Sequence, residues 1–138
     1  MTLISDCKLI SLPKISERKG ALTPIYGKEQ IPFDIARIYY LYDIPSGSKR
    51  GGHAHKELQQ LIVAIMGSFD VTIYDGNKRK KIHFDRAHQG LYLPKQIWRE
   101  LSNFSSGSIC LVLASLPFDE SDYIRDFDEF LILKSKTN

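Results

Sequence analysis

Arg50-Gly51-Gly52-His53-Ala54-His55-Lys56-Glu57-Leu58-Gln59-Gln60 is the stretch on which the fold turns. As a strand it alternates side chains between two faces, so His53 and His55 project together while Ala54 and Lys56 project the other way. It runs into Leu61-Ile62-Val63-Ala64-Ile65-Met66 and then Gly67, an apolar run that reads as a strand buried on both faces and closed by a turn. Two imidazoles therefore stand at the mouth of a core. Taken alone, such a pair is half a metal site, an acid/base pair, or two half-exposed histidines with no chemistry.

The segment before the histidines narrows the choice. Arg37-Ile38-Tyr39-Tyr40-Leu41-Tyr42 is rich in aromatic and β-branched residues and reads as a strand. Arg37, Tyr39 and Leu41 share one face; Ile38, Tyr40 and Tyr42 share the other. An arginine and a tyrosine on an inward face are too polar for a packed interior, and they favour a lined cavity. Pro45-Ser46-Gly47-Ser48 is the loop that delivers the chain to Arg50.

Further out, the same alternation recurs. Cys7 to Leu12 predicts a first strand broken by Pro13, and Gly20 predicts a turn in which Arg18 and Lys19 are either solvated or turned toward an anionic ligand. Phe69, Val71 and Ile73 alternate with polar neighbours, Asp75-Gly76-Asn77 is a hairpin signal, and Lys81 to Phe84 returns as the partner strand. Strands are also expected from Gly90, around Trp98, and over Ile109 to Ala114. Many short strands with frequent turns predict an all-β antiparallel sandwich or barrel. Behind the acidic turn from Asp119, residues Tyr123, Phe127 and Phe130 fall at helical spacing, which predicts an amphipathic C-terminal helix over 119–131 laid on the barrel.

Composition excludes several classes. The 138 residues are expected to form one domain, 1–138, and 43% apolar residues suffice for one core. The net charge of +3 is mild, and the basic run Lys78-Arg79-Lys80-Lys81 follows a turn signal as a solvated hairpin arm, so no nucleic-acid partner is expected. No apolar run reaches the length of a membrane span, and the N-terminus has no basic start followed by a long apolar stretch. Cys7 and Cys110, far apart and in unlike surroundings, read as reduced thiols of a soluble, cytoplasmic protein.

Gly52-His53-Ala54-His55, a glutamine at Gln59 or Gln60, and Gly67 resemble the first cupin motif, in which a glutamate normally occupies the glutamine position. Gly90, Pro94 and Asn103 resemble the second, whose histidine falls at Arg99. The resemblance implies a cupin jelly-roll barrel whose metal positions read His53, His55, Gln60 (or Gln59) and Arg99. An amide in place of the carboxylate and a permanent cation in place of the third imidazole argue against a metal, and no cofactor is expected.

Within the cupins, the chain resembles the dTDP-4-oxo-6-deoxyglucose 3,4-ketoisomerases, the WxcM-like group, which make sugars for surface polysaccharides. The matching stretches are Gly27 to Ile35, Arg37 to Tyr40, Arg50 to Lys56, Gly90-Leu91-Tyr92 and Asp119 to Arg125. Arg99 departs from the group, whose members commonly carry a histidine after that tryptophan. The resemblance implies that a ketone moves from C4 to C3 of a dTDP-linked 4-oxo-6-deoxyhexose through an enediol, toward a dTDP-3-amino sugar. On it, His53 takes the C3 proton, His55 is its partner, and Tyr39 donates to the enediolate. Arg37, Arg50, Arg18, Lys19, Arg99 and Gln60 are then candidate substrate-binding residues. Trp98 reads as core packing rather than a platform for thymine. A homodimer with exchanged N-terminal strands is implied as well. The competing reading is a cupin that binds a nucleotide sugar without turning it over.

Overall fold

The computed structural model describes residues 1–136. Twelve strands are present among them: β1 (Lys8–Ser11), β2 (Ile15–Glu17), β3 (Gly20–Leu22), β4 (Arg37–Leu41), β5 (Arg50–His55), β6 (Gln60–Met66), β7 (Phe69–Tyr74), β8 (Arg79–Phe84), β9 (Gln89–Leu93), β10 (Trp98–Ser102), β11 (Ile109–Ala114) and β12 (Tyr123–Ile124). One helix, α1 (Phe127–Lys136), follows them. The strands form two antiparallel five-stranded sheets, ordered β1-β9-β6-β11-β4 and β12-β5-β10-β7-β8, with β2 and β3 as a separate hairpin. This is the jelly-roll arrangement that the strand pattern and the cupin resemblance led one to expect.

Alternation decides what lies between the sheets. Ile62 and Ala64 of β6, Val71 and Ile73 of β7, and Cys110 and Val112 of β11 turn inward, with Phe69, Phe84, Leu91, Leu93, Ile97 and Leu101 completing the main core. The alternate residues Leu61, Val63 and Leu113 turn outward and are covered by Leu12, Ile31 and Phe33, so β6 is buried on both faces as its sequence predicts. Gly67, at φ +72°, makes the turn after β6; an added Cβ would lie 2.5 Å from the Ser105 hydroxyl. On the other sheet, Ala54, Trp98 and Ile124 pack outward against Phe130 of α1. Trp98 is core, with Phe127 and Phe130 ring centroids at 5.1 and 5.6 Å.

The C-terminal segment departs from the expected helix over 119–131. Asp119 caps a short 3-10 turn, Glu120–Asp122, by accepting from the Ser121 N–H, and the chain then straightens. Tyr123 pairs with His55 and Ile124 with Ala54, adding β12 to the edge of β5. The helix begins only at Phe127, with the Asp126 carboxylate accepting from the Asp128 N–H at 2.8 Å. Sheet pairing and burial of Ile124 and the Tyr123 ring outweigh the helical spacing that these aromatic residues display in sequence. No helix among the described residues is long and apolar enough to cross a membrane.

Candidate active site

The site begins with a distortion of β5. Gly51 and Gly52 both adopt positive φ, +81° and +71°, and the register with β10 slips between Arg99, which faces His53, and Glu100, which faces Gly51. A Cβ at Gly51 would come within 3.0 Å of the Arg99 carbonyl oxygen, so the bulge requires glycine there. Beyond it, His53 and His55 point into the barrel and Ala54 points out to the Trp98 cluster. The imidazole centroids are 4.9 Å apart with planes at 87°. Tyr123 lies over both rings, 5.0 Å from His53 and 4.4 Å from His55.

These groups border a cavity of about 540 Å³, lined among others by Arg37, Tyr39, Arg50, His53, Gln60, Arg99 and Tyr123. His53 lines the cavity itself, whereas His55 stands behind it with no exposed surface. From the opposite sheet, β4 contributes Arg37 and Tyr39, the guanidinium 5.0 Å over the tyrosine ring and 5.6 Å from Phe118. The outward residues Ile38 and Tyr40 alternate with them, as the strand reading requires.

A chain of hydrogen bonds crosses the floor. Arg99 Nη1 donates to Gln60 Oε1, and Gln60 Nε2 donates to the Tyr39 oxygen at 3.0 Å. The phenol thus takes its hydrogen bond from the amide, and its own proton is left for another acceptor. Arg99 Nε and Nη2 are both spent on the Ile97 carbonyl, at 3.2 and 3.1 Å. Of the two glutamines, Gln60 is the inward one; Gln59 turns away and accepts from the Tyr92 hydroxyl.

Burial and the trapped cation set the protonation states. Burial pushes the Arg99 guanidinium down to about 10, which leaves it charged at neutral pH. Burial, and after it Arg99, holds His53 down at about 3, so its imidazole is neutral. His55 is pushed the same way by burial, Arg99 and His53. Burial raises the Tyr39 phenol, which stays protonated. His53 Nδ1, His55 Nε2 and Arg37 Nε and Nη2 are buried without a protein partner, so one ring nitrogen of each histidine and two donors of a cation are unspent.

Arg99 also bears on a metal at the cupin positions. Its guanidinium occupies the place of a third imidazole and engages the Gln60 oxygen that would have to ligate an ion. Among the described residues, no group of three His, Cys, Asp or Glu side chains is arranged to hold one. This donor set does not fit a divalent cation.

Three further groups at the site escaped the sequence reading. Asp122 reaches His55, with Oδ2 3.1 Å from Nδ1. Tyr123 covers both imidazoles, and Arg125 stands over the Tyr123 ring at 4.2 Å, tied to Glu120 by bonds of 2.7 and 2.9 Å. All three lie within the Asp119-to-Arg125 stretch, where the expected helix would have pointed them elsewhere. Arg50 reaches the cavity, joined by Lys49. Arg18 and Lys19 do not: they form the turn of the β2–β3 hairpin, exposed and outside the cavity of their own chain.

The family described as "FdtA: WxcM-like, C-terminal" matches residues 5–135. The TDP-4-oxo-6-deoxy-alpha-D-glucose-3,4-oxoisomerase of Aneurinibacillus thermoaerophilus is 41% identical over 131 residues, covering 95% of this chain and 94% of that protein. Among solved structures, a histidine-to-asparagine mutant of the 3,4-ketoisomerase QdtA from Thermoanaerobacterium thermosaccharolyticum, in complex with TDP-4-keto-6-deoxyglucose, superposes with a TM-score of 0.94. It is 36% identical, and 97% of each chain is covered. The WlaRB TDP-quinovose 3,4-ketoisomerase of Campylobacter jejuni is 42% identical with a TM-score of 0.90, over 94% of this chain and 99% of that one.

Proposed function

The chain belongs to the FdtA family (WxcM-like, C-terminal) and is an isomerase, and from that premise we propose that it converts a dTDP-linked 4-oxo-6-deoxyhexose into the 3-oxo isomer. The observation that carries this reading is the pair of neutral imidazoles, each with an unspent ring nitrogen, beside a phenol whose proton is free to donate. His53, at the cavity wall, takes the proton from C3. The electrons of that C–H bond form the C3=C4 double bond, and the C4 oxygen becomes an enediolate that accepts from Tyr39. Protonation of the C4 oxygen, removal of the O3 proton and delivery of a proton to C4 complete the shift, and His55 assists that movement. No proton is gained or lost overall. Charged histidines could not start this sequence, and burial, with Arg99 after it, keeps them neutral.

The diphosphate falls to Arg37, whose buried donors lack an acceptor, and to Arg50 at the mouth. Arg99 and Gln60 act from the floor by holding Tyr39. We place Arg18 and Lys19 at the cavity of a second copy. Two features support such a homodimer. The hairpin that carries them exposes Ile15 (57%) and Leu22 (59%), and the edge strand β4 exposes Ile38 and Tyr40 to 59% each. The two unpaired thiols fit the reducing cytoplasm, where we place the reaction. A 3-oxo sugar made there is a substrate for amination, which gives a 3-amino sugar.

The test is proton NMR of dTDP-4-oxo-6-deoxyglucose incubated with the protein in D₂O. The expected result is a 3-oxo sugar with deuterium at C4, whose ring couplings distinguish the galacto from the gluco product. Ligand lines that broaden without conversion would overturn the reading in favour of a binding protein. His53→Asn should lower turnover by about a thousandfold while changing affinity by less than about tenfold.

A further inference from the structure

Asp122 makes contacts that the transfer of protons among His53, Tyr39 and the sugar does not use. Its side chain is almost fully buried at the end of the 3-10 turn, and both carboxylate oxygens are engaged. Oδ1 accepts from the Glu57 N–H at 2.8 Å, and Oδ2 accepts from the Leu58 N–H at 3.2 Å. Its own carbonyl accepts from the Lys56 N–H at 2.9 Å. Three consecutive backbone amides after β5 therefore hold this residue in place. The remaining contact of Oδ2 is His55 Nδ1, 67 residues away in the chain, at 3.1 Å.

A carboxylate held by backbone donors can only accept, so the hydrogen of this contact belongs to the imidazole. A neutral imidazole has a single N–H. With that hydrogen on Nδ1, Nε2 carries the lone pair, and Nε2 is the buried atom of His55 that has no protein partner. The other tautomer would set a lone pair against the carboxylate and bury an N–H without an acceptor. Both faults cost free energy at a side chain with no exposed surface.

We propose that Asp122 is a positioning residue for the isomerisation: it fixes His55 in the Nδ1–H tautomer, so that Nε2 can receive a proton, and it steadies the imidazolium while that proton is held. The inference rests on the ketoisomerase reading above. In the step concerned, a proton leaves the sugar or His53 and bonds to His55 Nε2, Nδ1–H stays in place, and the positive ring faces the Asp122 carboxylate. Return of the Nε2 proton to the sugar restores neutral His55. Nothing is oxidised or reduced. The carboxylate itself touches His55 and the loop amides and takes no proton. Burial and, after it, Arg99 oppose the imidazolium, and the carboxylate faces the ring from the Nδ1 side, 3.1 Å away.

Two measurements test this. The first uses the unmodified protein, labelled with ¹⁵N-histidine, and reads the His55 tautomer at neutral pH from long-range ¹H–¹⁵N correlations. A protonated Nδ1 with an unprotonated Nε2 is expected; the proton on Nε2 would overturn the proposal. Because this spectrum needs no substrate, it decides the tautomer even if the protein fails to isomerise the sugar, a failure that would sink the functional reading instead. The second is Asp122→Asn. The amide oxygen can keep the Glu57 N–H, but its NH₂ then faces Nδ1 and imposes the wrong tautomer. The expected loss in kcat is about a hundredfold with KM within about threefold, and Asp122→Glu should recover part of it. Wild-type kcat in Asp122→Asn would overturn the role, and a variant too unstable to assay leaves the decision to the wild-type spectrum.

Discussion

Among the described residues the barrel carries two histidine–aspartate pairs, and the tighter one lies away from the cavity. His83 Nδ1 is 2.7 Å from Asp70 Oδ1, against 3.1 Å for His55 and Asp122. The environments differ far more than the distances. The His83 side chain is 52% exposed on the outer face of the β7–β8 ladder, whereas that of His55 is 0% exposed inside the barrel. Asp70 also accepts from Asn103 at 3.1 Å and has Lys81 at 3.8 Å. Partial desolvation raises its pKa, but the hydrogen bonds from His83 and Asn103 prevail and hold the carboxylate below its usual range. The outer pair is thus a knot between a buried carboxylate and a half-exposed ring that ties neighbouring strands together. The inner pair directs a ring whose other nitrogen has nothing to bond. Contact length does not separate function from structure here; the fate of the second nitrogen does.

Mutating the two histidines gives the sharpest contrast. His55→Asn is expected to lower kcat by about 10² to 10⁴, the usual range for a lost proton carrier, and His83→Asn to leave it within about twofold. Comparable losses in steady-state assays would erase the distinction. Removing the phenolic donor comes next. Tyr39→Phe should cost about a hundredfold in kcat, since a donor to a developing oxyanion is lost, together with about 1–3 kcal/mol of stability from the stranded Gln60 amide. A variant with unchanged kcat would take Tyr39 out of the chemistry.

The third contrast lies in pH. His53 has an ordinary value of 6.5 and is held at about 3 in the fold, and His55 is displaced in the same direction. On acidification the unfolded chain takes up these protons first. Stability is therefore intact above pH 6.5 and falls below it, by at most about 1.4 kcal/mol per pH unit for each ring. Urea unfolding between about pH 7.5 and about pH 4.5 should show this decline, shallower in His55→Asn and unaltered in His83→Asn. A decline of the same steepness in all three would place its origin outside the cavity. The smallest effect is expected at the outer pair. Asp70→Asn should destabilise by about 1 kcal/mol, because Asn103 and Lys81 still bridge the strands to solvent, with kcat unchanged. A loss of several kcal/mol would show the outer knot to be structural in earnest.

The sequence by itself determined whatever repeats at short range. Alternation along Arg37 to Tyr42 put the arginine and one tyrosine inward, the His-x-His spacing put two imidazoles on one face, and the apolar run after Gln60 located a strand covered on both sides. What the chain brings together across large separations was decided only by the tertiary structure. Asp122 meets His55 because residues 123 and 124 join the edge of β5, a pairing that no local pattern in an apparently helical segment reveals. Gln60 and Gln59 are adjacent in sequence, and only the register of β6 made one the relay and turned the other away. Arg99 read as a departure from a histidine position, a cation unsuited to a metal and a candidate substrate-binding residue. Folding shut it into the barrel, where burial and, after it, this trapped cation hold two imidazoles neutral, an effect that exists only once the fold has drawn all three away from bulk water.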